Sequence, residues 1–76
     1  MMTFSELQVG DRARVVAYPP GSDGYFGQIK RLGLTPGTRF RVVRVAPLGD
    51  PLEIEVRGFR LSLRRAEAGM MEVERL

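Results

Sequence analysis

The chain has 76 residues, a net charge of +3 from twelve basic and nine acidic side chains, and neither cysteine nor histidine. Without thiol or imidazole it has no disulfide, zinc knuckle, Cys/His nucleophile or ordinary transition-metal site. A single small domain over residues 1–76 is expected, with a stability of roughly 4–11 kcal/mol, so each large core side chain carries a sizeable share.

Gly10-Asp11 opens a first strand, Arg12 to Tyr18, with Ala13 and Val15 on one face and the β-branched pair Val15-Val16 favouring extended backbone. Pro19-Pro20-Gly21-Ser22-Asp23-Gly24 ends it, because the prolines withdraw ladder donors and the remainder suits turns. Asp23 stands where it would cap a following helix. Between Tyr25 and Leu32, Tyr25 or Phe26, Ile29 and Leu32 recur at helical spacing. Gly33 falls where a helix needs a left-handed C-terminal residue, and Leu34 can fold back over the last turn. Thr35-Pro36-Gly37 reads as a type II turn, with Pro36 presetting one backbone angle and Gly37 free to take positive φ.

Thr38 to Val45 is the richest strand, yet its alternation slips. Phe40 and Val42 share one face and Val43 and Val45 the other, which predicts a bulge and a sharp bend. Ala46-Pro47-Leu48-Gly49-Asp50-Pro51 is the next turn. Leu52, Ile54 and Val56 then alternate with polar residues, as do Phe59, Leu61 and Leu63. A two-residue loop at Arg57-Gly58 sets Val56 opposite Phe59, Ile54 opposite Leu61 and Leu52 opposite Leu63, all on one dry face. Arg65 to Gly69 reads as a short turn or 3₁₀ link, and Met71 and Val73 as a last strand. The expected fold is mostly β: a small SH3-like β-barrel of about five strands, with one short helix between the first two. An OB-fold ranks second, since it places its helix after the third strand, where only the Pro47 to Pro51 turn lies.

The catalytic inventory is empty. Ser5, Ser22 and Ser62 are scattered with no histidine to activate them. Asp11, Asp23, Asp50, Glu53 and Glu55 are the only candidates for a carboxylate metal site, and the last two share the polar face with Arg57, where pairing or solvation is the expected role. The loop before the helix lacks the spacing of a phosphate-binding motif. No cofactor, metal or enzymatic activity is therefore expected.

A sequence pI near 10.2 invites a nucleic-acid reading, with Arg39, Arg41, Arg44, Arg60 and Arg64 as its carriers. The acids interleaved with these arginines point instead to a solvated strand face. Tyr18, Tyr25 and Phe26 surround the proline-rich loop, where they can stack bases, hold a peptide or close the end of the barrel. Leu32, Leu34 and Leu48 flank or occupy turns; Leu48, between Pro47 and Gly49, is the hardest to bury and the best candidate anchor for a partner. No apolar run approaches the roughly 18–20 residues that span a bilayer, so a soluble, unprocessed chain is expected.

Arg31-Leu32-Gly33-Leu34-Thr35-Pro36-Gly37, then Val42 through Pro51, then Leu61-Ser62-Leu63-Arg64, resemble FeoA, the small ferrous iron transport protein A. The resemblance runs from Leu7 and Gly10 to Glu72-Val73. It implies an SH3-like domain in the bacterial cytoplasm, peripheral to the inner membrane through its partner FeoB, the Fe²⁺ transporter with a GTP-binding domain. On that reading Tyr25, Phe26, Leu32, Leu34 and Leu48 are partner-binding residues. Gly33, Pro36, Gly37, Pro47, Gly49, Asp50, Pro51 and Gly58 shape the turns. Self-association is compatible with it, and no nucleic acid is expected. A single-strand nucleic-acid-binding barrel is the alternative from another class.

Overall fold

The computed structural model describes residues 2–20 and 24–76, with the side chain of Tyr25 excepted. The expected cap by Asp23 and the Gly21-Ser22 part of the loop lie outside the described residues. The elements are β1 (Met2–Thr3), a 3₁₀ turn (Phe4–Glu6), β2 (Arg12–Ala17), α1 (Tyr25–Arg31), β3 (Arg39–Val45), β4 (Leu52–Val56), β5 (Phe59–Leu63), α2 (Arg65–Ala68) and β6 (Glu72–Arg75). The six strands form one antiparallel sheet in the order β1-β6-β2-β3-β4-β5.

The strand count corrects the sequence-based expectation of five, and α1 falls between the second and third strands rather than the first and second. The cause is β1. Two residues are too short to show a period, and the strand exists only because Met2 and Thr3 meet Val73 and Glu72 of β6 across the length of the chain. Immediately after it, Glu6 folds back to accept the Thr3 backbone N–H at 2.6 Å. That contact draws the carboxyl below the ordinary range. The tight turn swings Phe4 inward to full burial, with Leu7 beside it at 1 % exposure.

Elsewhere local patterning is obeyed closely. Leu52, Ile54 and Val56 are buried and pair with Leu63, Leu61 and Phe59 in the expected register. The loop residues Arg57 and Gly58 take φ of 50° and 82°, the double left-handed geometry that matches the twist of a hairpin. Phe59 departs from expectation: it has the right facing but remains 38 % exposed, because β5 is at the end of the sheet and no further described strand pairs with it. The register shift between Val42 and Arg44 is the expected bulge in β3.

Helix α1 ends as its glycine requires. Gly33 has φ 110°, its N–H donates to Lys30 O at 3.0 Å, and the Leu34 N–H donates to Ile29 O at 3.1 Å. These two bonds satisfy carbonyls the helix leaves open and turn Leu34 into the core. Gly37 has φ 93°, and Thr38 N–H donates to Thr35 O at 3.0 Å, closing the turn that starts β3. The core collects Phe4, Leu7, Ala13, Val15, Ile29, Leu34, Phe40 and Val42 with the buried residues of β4 to β6. Phe4 and Phe40 rings meet at 6.1 Å and 45°.

Candidate functional site

The Ala46 to Pro51 turn owes its shape to two sets of bonds. Its own backbone closes it: Gly49 N–H donates to Ala46 O at 2.7 Å, with Pro47 in the position a turn favours for proline and Gly49 at φ 87°. Ala46 N–H donates to Pro51 O at 3.1 Å across the base.

The second set comes from Arg65, at the start of α2. Its backbone N–H donates to Asp50 Oδ1 at 2.7 Å, its Nε donates to Gly49 O at 2.6 Å, and its Nη1 donates to Ser5 O. One side chain thus ties the turn to the N-terminal 3₁₀ segment, and the Asp50 carboxylate holds the first N–H of α2. At the tip of this braced turn Leu48 is 97 % exposed. The backbone beneath it is already fixed, so only the side chain's own rotamer freedom is left to lose against another surface.

The other predicted partner residues lie around α1. Leu32 caps the helix and is 51 % exposed. Phe26 is half-buried, with its ring 5.2 Å from that of Tyr18. The Tyr18 hydroxyl donates to Leu34 O, and Lys30 Nζ stands 4.8 Å over the Tyr18 ring. Tyr18 and Phe26 therefore close one end of the core around the helix terminus. Leu34 corrects the expectation of a docking residue: it is fully buried, so it offers no surface and serves as the residue on which the helix end folds. The side chain of Tyr25 lies outside the described residues. Helix α1 meets α2, which is the link between Leu32 and the braced turn that carries Leu48.

Burial pushes the Tyr18 phenol up from the usual 10 to about 12. The raised value belongs to the folded state, so its stabilising contribution is complete below pH 10 and is lost as pH rises through about 12. A Tyr25→Phe variant leaves Tyr18 as the sole tyrosine. Its phenolate absorbance is expected to rise near pH 12; a midpoint near 10 would place the hydroxyl in water.

Several arginines face acidic side chains. Arg14 pairs with Glu74 at 2.8 Å, Arg41 with Glu55 at 3.3 Å, Arg60 with Glu53 at 3.5 Å and Arg75 with Asp11 at 3.1 Å. These are cross-strand and strand-to-turn pairs on largely exposed faces, each worth up to about 1 kcal/mol. Among the described residues no group of three or more acidic side chains gathers into a metal site. No described helix is long and apolar enough to cross a membrane.

Asp50 was legible as a turn residue, but Arg65 was missed as its clamp. Nothing local marks it, since its partners Gly49, Asp50 and Ser5 are far off in sequence. Phe4 was missed although Thr3-Phe4-Ser5-Glu6 has the spacing of a capping box.

Comparison with known proteins agrees on one family. The FeoA domain family profile matches residues 2–75. A Porphyromonas gingivalis protein described as an Fe(2+) transport protein A/Fe(2+) transporter FeoB fusion is 37 % identical over 73 residues, covering 96 % of this chain. The chain spans 8 % of the length of that relative. The solution structure of FeoA from Chlorobium tepidum superposes with a TM-score of 0.80 at 43 % identity, covering 99 % of this chain and 70 % of that one. FeoA of Stenotrophomonas maltophilia, crystallised with zinc and described as a procaryotic SH3 domain protein, superposes at 0.78 with 30 % identity, covering 97 % and 91 %.

Proposed function

This chain belongs to the FeoA domain family, and on that premise we propose that it is a non-catalytic accessory domain of ferrous iron uptake that docks on the cytoplasmic part of a FeoB-like membrane transporter and modulates its cycle. The observation that supports this most is the fusion relative, in which a domain 37 % identical to this chain shares one polypeptide with the transporter. A tether of that kind holds two modules at effective concentrations up to about millimolar, which is useful only where they act together. Where the two modules are on different chains, a docking face must supply the same proximity, and Leu48 is its anchor. The domain is then cytoplasmic and held at the inner membrane through its partner. Six antiparallel strands around one core, together with the likeness to an SH3 domain protein, support a small SH3-like barrel that stays open at the β5 edge.

Membranes containing a FeoB-like transporter are expected to retain this protein, and Leu48→Arg to weaken retention by about 30-fold, the loss of a strong interface residue. The melting temperature should not move, because Leu48 lies outside the core. Absence of retention by the wild type, with and without guanine nucleotide, overturns the reading.

A further inference from the structure

The outer edge of β5 is a strand template with a basic rim. Val56 and Phe59 close a two-residue hairpin and so exchange hydrogen bonds, as do Ile54 with Leu61 and Leu52 with Leu63 by alternation. The intervening residues Arg60 and Ser62 must then point their backbone N–H and C=O groups away from β4. β5 pairs with β4 alone, and no backbone bond from Arg60 or Ser62 reaches any other described residue. Such an edge accepts an added strand.

The side chains say which strand. From Arg57 to Arg65 there are four arginines and no acid. Arg65 turns inward to its clamp, which leaves Arg60 and Arg64 exposed along the edge and Arg57 exposed in the hairpin loop at its end. Arg57 has no ion pair among the described residues. Arg60 and Arg64 hold Glu53 and Glu67 only at 3.5 and 3.8 Å, with 62 % and 71 % of the arginine side chains exposed. Pairs of this kind are weak and open to competition. On the opposite face Phe59 stays 38 % exposed at the rim of the core. A second copy of β5 would bring arginine against arginine, so self-pairing at this edge is disfavoured.

We propose that the free edge of β5 binds an extended acidic segment of a partner by strand addition, its carboxylates lying along Arg57, Arg60 and Arg64 and its alternate apolar side chains covering Phe59 and Leu61. The inference is independent of the transporter reading, since neither the family nor Leu48 enters it.

The probe is a short synthetic peptide alternating glutamate and valine, with a lysine-valine peptide as the control. The glutamate peptide is expected to bind saturably to the wild type, shifting the Arg60 and Ser62 amide resonances and slowing their exchange with solvent. Ser62→Pro removes one outward donor without touching the β4 ladder, and should weaken binding by about tenfold or more. Because that variant can fail to fold, Arg57→Glu/Arg60→Glu/Arg64→Glu is a second test, expected to reverse the preference toward the lysine peptide. Lack of saturable binding, binding that leaves both amides unmoved, or equal binding of the two peptides overturns the proposal.

Discussion

Phe4→Ala is expected to lower stability by about 3–5 kcal/mol, the cost of emptying a fully buried aromatic site. For a domain of this size each kcal/mol moves the melting temperature by about 4–8 °C, so the variant should melt at least about 12 °C lower. Phe4 is fully buried, packs on Phe40, and sits in a 3₁₀ turn whose N–H bonds to Met71 O at 2.8 Å hold the N-terminus against the start of β6. Val9→Ala, at 59 % exposure, is the matched control and should stay within about 0.5 kcal/mol of the wild type. Equal melting temperatures for the two variants would mean that the N-terminal segment is not part of the core.

Arg65→Ala should cost about 2–4 kcal/mol, because it removes charged donors from two carbonyls, Gly49 O and Ser5 O, that belong to different segments. Arg65→Lys should recover only part of this, since an ammonium cannot reproduce the planar fork that reaches both. The loss has a local signature as well. The Gly49 N–H, bonded to Ala46 O at 2.7 Å, should exchange faster with solvent in Arg65→Ala while amides of the β4–β5 hairpin keep their relative protection. If docking depends on a braced Leu48, Arg65→Ala also weakens membrane retention without any change in the anchor itself. A melting temperature indistinguishable from the wild type would remove Arg65 from the account of the turn.

The hairpin, the helix end and the bulge were legible in the chain because each is decided by residues a few positions apart. Alternation across Leu52 to Leu63 and a two-residue loop leave a single register that keeps the apolar face dry. Gly33 after Leu32, with Leu34 behind it, allows little other than the helix termination observed. The same local logic marked Leu48 as unburied, since a turn tip between proline and glycine has no second layer to pack against.

What local patterning could not decide is which surfaces meet. Met2 and Thr3 become a strand only through β6, and the helix thereby moves one place in the strand order. Leu34 reads both as a residue that can fold back over the helix end and as a docking leucine, and the reversal at Gly33 decides for burial. Phe59 reads as core until β5 proves to be an edge, and Arg65 reads as one more surface charge until three distant backbone and carboxylate oxygens converge on it. Hydrophobic period and turn chemistry act over a few residues and so dictate each element. Burial and hydrogen-bond satisfaction between elements depend on contacts far apart in sequence, and only the assembled sheet specifies those.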